Sequence, residues 1–269
     1  MSQPAISVLL PVYNGSRFLQ KAVDSILAQS FEDFELIAVD DGSTDNSVSI
    51  LEAYNDPRIV LLKHPVNRGI VQTLNTGLAR CTGKYIARMD ADDIALPERF
   101  SRQVAHFEKY PDTGVVDTVQ DCIDESDMRT GKVNSNVVDA EDIYATLPKS
   151  NCLGHPSVMV RGDLLRAYGY RNVAYEDYDL WLRIASAGIK IVKLKSRLLL
   201  FREHSSSITG TDHAGMRHFQ KVIQTKLFYL SGLTFTDNAR PFNLKVRIWL
   251  LRDLSIQAFK KLKKALRTT

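Results

Sequence analysis

The chain has 269 residues, 44% of them hydrophobic and 25% charged, with a net charge of +4. That balance suits a folded chain with a sizeable core, and it excludes disordered and collagen-like polymers. So small a positive charge leaves no footprint for nucleic acid. Three widely spaced cysteines, Cys81, Cys122 and Cys152, form neither a zinc pattern nor a disulfide framework.

The first segment, "MSQPAISVLLPVYNG", lacks the basic start and long apolar run of a signal peptide. No stretch approaches the roughly 18 apolar residues of a membrane span. The expectation is a reducing, cytoplasmic location.

The predicted elements alternate along the first half. "AISVLLPV" is continuously apolar, as a strand buried on both faces should be. Ser16 is placed to cap a helix running through Gln29, with Phe18, Leu19, Ala22, Val23 and Ile26 on one face. "FELIAVD" is the second strand and "STDNSVSILEAYN" the next helix, with Asp45 as its cap. "RIVLLKH" is the third strand, "GIVQTLNTGLARCTG" a helix ending near Gly83, and "KYIARMD" the fourth strand. Strands alternating with helices predict a parallel sheet with helices on both faces.

Beyond Pro111 the pattern loosens, and 115–147 reads as irregular structure or short strands. "HPSVMVR" reads as a strand, "GDLLRAYG" as a short helix, and "YEDYDLWLRIASAG" as an amphipathic helix closed by Gly188. "IKIVKLKSRLLLFREH" reads as a strand pair. A catalytic unit over 1–212 and a helical, basic extension over 213–269 complete the expected organisation.

In open sheets of this class ligands bind beyond the carboxyl ends of the strands. Polar clusters sit at those points: Tyr13-Asn14, Asp40-Asp41, and Asp90-Asp92-Asp93. Neighbouring carboxylates raise one another's pKa, so the last cluster calls for a cation. A helix cap accounts for one of them, Asp93, before the helix expected near Leu96-Pro97. Asp90 and Asp92 suit a hard divalent ion, Mg²⁺ or Mn²⁺, which is commonly held by one or two carboxylates plus substrate phosphates. No Walker loop or GxGxxG is present. Tyr13 offers a stacking ring, and Asp41 an acceptor for an imide or a sugar hydroxyl.

These stretches together, with "NRGIVQTLNTGLARCTGKYIARMDADD", "HPSVMVR" and "EDYDLWLR", resemble the family-two glycosyltransferases of the GT-A fold over roughly residues 5–210. The resemblance implies an α/β nucleotide-binding sheet and an inverting transfer from a nucleotide-diphosphate sugar, expected to be a UDP-sugar, assisted by Mn²⁺ or Mg²⁺. It assigns Pro11, Tyr13, Asp41 and Arg68 to the nucleoside, Asp90 and Asp92 to the DxD motif, and Asp92 to the metal. Asp177 matches the general base, with Glu176 orienting it or touching the donor sugar. Arg202 is expected at the diphosphate, His204 at phosphate or metal, and His155 at a sugar hydroxyl. Asp179 fits a first-turn acid of a helix, while His64, His106, His213 and His218 read as surface or packing residues. Thr73-Leu74-Asn75 stands where many members have Ala-Arg-Asn, so no base contact is expected from that helix.

The tail interleaves Trp249, Leu250, Leu254, Ile256 and Phe259 with Lys245, Arg247, Arg252, Lys260, Lys261, Lys263 and Lys264. Two readings stand: a helix packed on its own domain, or an interfacial helix with Trp249, Leu250 and Phe259 drawn to anionic lipid. The second places the enzyme at the inner face of a membrane, building surface polysaccharide or glycolipid on a glycan or lipid-linked acceptor. The rival functions are a sugar nucleotidyltransferase, which wants a Gly-rich basic loop after the first strand, and a non-catalytic nucleotide-sugar binding protein.

Overall fold

The structure, a computed structural model, describes residues 3–134, 140–204 and 216–265. In chain order the elements are β1 (Ile6–Val12), α1 (Leu19–Leu27), β2 (Phe34–Asp40), α2 (Ser47–Glu52), β3 (Ile59–Lys63), α3 (Ile70–Leu78), β4 (Tyr85–Arg88), β5 (Ile94–Ala95) and α4 (Arg99–Lys109). Then come β6 (Thr113–Ile123), β7 (Arg129–Asn134), α5 (Ala140–Thr146), a 3₁₀ turn (His155–Ser157), β8 (Met159–Arg161), α6 (Gly162–Tyr168), α7 (Glu176–Ser186), β9 (Lys190–Arg202), α8 (Met216–Ser231), α9 (Phe235–Asn238) and α10 (Pro241–Ala265).

Among the described residues one sheet runs β3-β2-β1-β4-β8-β6-β9-β5, with β7 paired to β6. The first four strands are parallel, as their alternation with helices predicts. Beyond them the sheet is mixed: β8 is antiparallel to both β4 and β6, β6 and β9 run parallel, and β5 turns back on β9. The switch from parallel to antiparallel falls at β4, the strand that leads into the aspartates.

Two apolar layers fill the two faces. Ile6, Val8, Leu10 and Val12 of β1 pack with Leu19, Val23 and Ile26 of α1 and Phe100 of α4. Leu9, Ile37 and Val39 face the other way, toward Leu74 and Leu78 of α3. The period-2 alternation hidden inside the continuous apolar runs is thus used on both sides. At Gly77 a side chain is excluded, since a Cβ would lie 2.3 Å from Leu9 Cδ1 and 2.8 Å from Val39 Cγ2. That close approach lets α3 lie flat on the sheet.

Several expectations are corrected. β6 is one long strand where irregular structure or short strands are expected, and every one of its residues is buried. Its apolar pattern is broken by Asp117, Thr118, Gln120 and Asp121, which the fold satisfies internally. The expected strand pair at 190–202 is one continuous strand, β9, that absorbs its break through register shifts against β6. In "HPSVMVR" the first three residues form the 3₁₀ turn, and the strand begins at Met159.

Helix ends differ too. The third helix stops at Leu78, short of Gly83. Ser16 does not cap α1, which begins at Leu19. Instead the Asp45 carboxylate accepts the Ser16 N–H and the Ser47 N–H, both at 2.9 Å, and so ties the start of α2 to the turn before α1.

The C-terminal helices pack on the catalytic unit. Val222 and Tyr229 of α8 and Val246 of α10 belong to the same apolar layer as Trp181 of α7. Lys226, fully buried, donates to Asp253 at 2.7 Å and to the Lys149 carbonyl at 2.9 Å. Among the described residues no helix is long and apolar enough to cross a membrane.

Candidate active site

The loops beyond β1 and β2 are latched to each other. Asn14, at φ 48°, accepts the Thr44 N–H through Oδ1 at 2.8 Å, and its own N–H donates to Ser43 Oγ at 2.9 Å. Asp40 Oδ2 accepts the Gly42 and Ser43 N–H groups at 3.1 Å. Gly42 has φ +71°, and a Cβ there would come within 2.6 Å of the Val66 backbone. The polar turn is therefore a frame. It leaves the Tyr13 ring 51% exposed, free to stack on a planar ligand.

Asp41 is 3% exposed, and both of its carboxylate oxygens have protein partners. Oδ1 meets His64 Nδ1 at 2.7 Å and the Arg68 N–H at 2.9 Å, while Oδ2 accepts the Gly69 N–H at 2.9 Å. Burial opposes ionisation there, yet these hydrogen bonds prevail and lower the pKa. Asp41 thus anchors the turn that presents the exposed Arg68 side chain. Pro11 is buried within β1, opposite Val39. Of the surface and packing roles expected for His64, it has the second: it is buried, braces Asp41 and reaches Thr76 Oγ1 at 3.0 Å. Its place at the end of β3 is the signal that could have found it.

The aspartate cluster lies beyond β4. One oxygen each from Asp90, Asp92 and Asp93 falls within 4.8 Å of the others. Asp93 is not a helix cap: it is 1% exposed, Oδ1 accepts the Arg202 N–H at 2.8 Å, and α4 starts later, at Arg99. The buried Oδ2 of Asp93 has no hydrogen-bond partner. Burial first, then the neighbouring carboxylates of Asp92 and Asp90, push Asp93 well above the usual carboxylate range. Asp90 is raised for the same first reason, with Arg88 pulling the other way. Clustered hard oxygens with an unused buried acceptor fit a hard divalent cation. His204 Nε2 meets Asp92 Oδ2 at 2.9 Å, so the expected imidazole is at the cluster.

Arg202 has a different setting from the one expected. It is 1% exposed, with Nε on the Asp92 carbonyl at 2.7 Å and Nη1 on the Asp124 carbonyl at 2.8 Å and the Asp127 carboxylate at 2.6 Å. In this setting it braces the aspartate loop against the β6–β7 turn. The rest of the expected "FREHSSSIT" segment, from Ser205, lies outside the described residues, as does His213.

At the other side stand Glu176 and Asp177, the first two residues of α7. Asn151 Nδ2 donates to Asp177 Oδ2 at 2.6 Å, and the Tyr178 N–H donates to Oδ1 at 2.7 Å. Burial raises the Asp177 pKa. Glu176 is pushed up to about 7, by burial and then by the Asp177 charge. His155 Nδ1 lies 3.9 Å from Glu176, and its Nε2 is 3.0 Å from the Tyr170 hydroxyl. Burial, then Arg88, hold the His155 imidazole well below its ordinary pKa, so it is neutral. Asp179 is a first-turn acid of α7, as expected, and it is fully buried between Arg171 and Arg183.

Sequence reasoning missed Arg88, Asn151 and Tyr170. Arg88 was visible as the one charged residue within an otherwise apolar strand, two positions before Asp90. Asn75 serves the frame, since it exchanges two hydrogen bonds with the Tyr170 backbone, at 2.8 and 3.0 Å.

An open α/β sheet with carboxylates gathered beyond its strand ends and an acid pair opening α7 is the architecture of a transferase. The model of the family "Glycosyl transferase family 2" matches residues 7–168, and the chain belongs to that family. It is 35% identical over 214 residues to EpsE of Bacillus subtilis (strain 168), provisionally named a glycosyltransferase, covering 77% of this chain and 76% of that one. It is 32% identical over 208 residues to the amylovoran biosynthesis glycosyltransferase AmsE of Erwinia amylovora, covering 75% and 77%.

Among solved structures, TarS 1–349 of S. aureus in complex with UDP superposes with a TM-score of 0.69 at 17% identity, covering 93% of this chain and 72% of that one. The mannosyltransferase PcManGT of Pyrobaculum calidifontis, in complex with GDP-Man and Mn²⁺, gives a TM-score of 0.66 at 18% identity, over 100% and 82%. These likenesses confirm the GT-A fold.

Proposed function

We propose that this glycosyltransferase moves a sugar from a nucleotide-diphosphate sugar to an acceptor hydroxyl with inversion. The observation that carries this reading is that a chain of this family sets the Asp90-Asp92-Asp93 cluster beyond β4 and opens α7 on the Glu176-Asp177 pair. Tyr13 stacks on the base, and the Asp41-anchored turn presents Arg68 to the nucleoside. Asp92, Asp90 and His204 would hold Mg²⁺ or Mn²⁺, with Asp93 beneath them. When bound there, the ion supplies charge neutralisation for a departing diphosphate.

Asp177 receives the proton of the acceptor hydroxyl as that oxygen bonds to the anomeric carbon and the diphosphate leaves with the bonding electrons. Glu176 orients the sugar beside the neutral His155. Polysaccharide building is supported by the likeness to AmsE, and a UDP-sugar by the fold likeness to the UDP-bound TarS fragment. Neither a nucleotidyltransferase nor a bare binding protein has a use for an acid placed like Asp177. A panel of nucleotide-sugars with Mn²⁺, read by thermal stabilisation and then by diphosphate release, tests the reading. Full turnover in excess EDTA, or in Asp92→Asn, would overturn the metal assignment.

The acceptor is lipid-linked on this reading, and the support is α10. Leu244, Ile248, Leu251 and Phe259 are 53%, 56%, 67% and 66% exposed. Leu244, Ile248 and Leu251 follow at spacings of four and three and Phe259 two four-residue steps further on, so they share one stripe, flanked by Lys245, Arg247, Arg252 and Lys260. The acid of this helix, Asp253, turns inward to Lys226. An apolar stripe bordered by basic charge fits an anionic lipid surface. Of the three apolar residues expected at the lipid, Phe259 lies on this stripe, whereas Leu250 is buried and the half-buried Trp249 lies under Lys149 and Arg252. The side chains of Lys261, Lys263 and Lys264 lie outside the described residues. Because α10 also packs on the domain, truncation is a poor test. Ile248→Ser with Leu251→Ser should abolish sedimentation with acidic liposomes while leaving Tm unchanged, and sedimentation equal to the parent's would overturn this reading.

A further inference from the structure

Arg88 closes β4 and points its guanidinium among the site's acids. It is 5% exposed and forms an ion pair with Asp90. Its Nε is buried without a hydrogen-bond partner. A buried guanidinium with an unsatisfied donor is costly unless the site draws on its charge. The ion pair sets that charge against the cluster in which one oxygen each of Asp90, Asp92 and Asp93 lies within 4.8 Å of the others. The backbone at Arg88 is itself pinned. The fully buried Arg99 donates to the Arg88 carbonyl at 2.6 Å, and the Arg88 N–H donates to the Val158 carbonyl at 3.0 Å.

We propose that Arg88 is a positioning residue, a resident counter-charge that holds the Asp90 carboxylate beside its neighbouring aspartates before the divalent cation arrives. The inference rests on the metal reading above. The physical logic is exchange: Arg88 and the cation neutralise the same carboxylates, so each lessens the need for the other. An arginine suits this role because it remains charged when buried. Arg88 is then a brake on metal affinity and a support for the metal-free fold, and both effects should be separable from turnover.

The test uses the full chain, its metal-free form and MnCl₂. Tm is measured in EDTA and in saturating Mn²⁺, and Mn²⁺ binding by titration calorimetry, for the parent, Arg88→Met, Arg88→Gln and Arg88→Lys. Loss of the charge in Met and Gln should lower Tm in EDTA, enlarge the Mn²⁺-induced rise in Tm, and tighten Mn²⁺ binding by about tenfold or more, because a like charge has been removed beside the ion. Arg88→Lys keeps the charge and should bind Mn²⁺ as the parent does. A merely structural arginine would lower Tm equally with and without Mn²⁺ and leave the Mn²⁺ Kd alone, and that result overturns the inference. Should Arg88→Met not fold, the isopolar Arg88→Gln set against Arg88→Lys decides by the same two readouts. A parent with no response to Mn²⁺ overturns the metal reading itself, whereas a responding parent with indifferent variants overturns only the role of Arg88.

Discussion

Two sets of acids in this molecule, one buried and one mostly half-buried, are treated in opposite ways. Asp117, Asp121 and Asp179 lie away from the cleft, and each is fully supplied with cations. Asp117 pairs with Lys193 at 2.8 Å, both side chains at 0% exposure; Asp121 pairs with Arg129 and Arg197; Asp179 pairs with Arg171 and Arg183. The acids at the strand ends and at the start of α7 are given much less. Asp90, Asp92, Asp93, Glu176 and Asp177 share Arg88 and the His204 imidazole among the described residues. The first set neutralises itself and fixes the frame. The second is left with a deficit of positive charge, and a deficit held by a rigid frame is what a cationic ligand can bind.

If that contrast is right, changes in the two sets should separate turnover from stability. The largest effect is expected at Asp177→Asn, which removes the proton acceptor but keeps the shape. Turnover should fall by about 10²–10⁴, with nucleotide affinity and Tm near those of the parent. Near-normal turnover, with loss instead in Glu176→Gln, would exchange the two roles.

Lys193→Met should do the reverse. It strands Asp117, which also accepts from the Gly154 N–H at 3.1 Å and from the Ser157 hydroxyl, so the turn carrying His155 loses its footing. A loss of roughly 3–5 kcal/mol in unfolding free energy is expected for a broken buried pair, measured by urea denaturation. A stability loss under about 1 kcal/mol, the value of a surface pair, would break the comparison.

The smallest effect concerns pH. Folding raises the Glu176 pKa from 4.5 to about 7, so the folded protein holds this proton more tightly than the unfolded chain. Its contribution to stability is complete below pH 4.5 and is lost as pH rises through about 7. In EDTA, the fall in Tm from pH 5 to pH 8 should shrink in Glu176→Gln. Asp90, Asp93 and Asp177, raised in the same direction, supply what remains. An unchanged fall in the variant would place the carboxyl of Glu176 in water.

The same contrast explains what could be read in advance. The first four strands, the helices between them and the polar residues at their ends were legible because each follows a local rule: apolar runs for strands buried on both faces, acids and turn formers where the chain leaves the sheet. Asp90, Asp92, Glu176, Asp177 and His204 could be singled out as candidates through motif and order. The β6 strand was not. Its Asp117, Thr118, Gln120 and Asp121 look like loop residues until Lys193, Ser157, Arg129 and Arg197 arrive from elsewhere in the chain. Nor could the tail be assigned residue by residue, since its apolar positions divide between domain and solvent only once α8 is beside α10.

The sequence by itself determined the fold class and the chemistry on offer: hard carboxylate oxygens, an imidazole, a stacking ring. These depend on local periodicity and residue type, which the chain carries everywhere along its length. Tertiary structure alone decided which charges meet. Asp93 was turned from a cap into a buried ligand candidate, Arg202 was given the Asp92 and Asp124 carbonyls to brace, and Arg88 was brought against Asp90. Burial and pairing are properties of neighbours brought together by folding, and electrostatic energy depends on those distances and on the water they exclude.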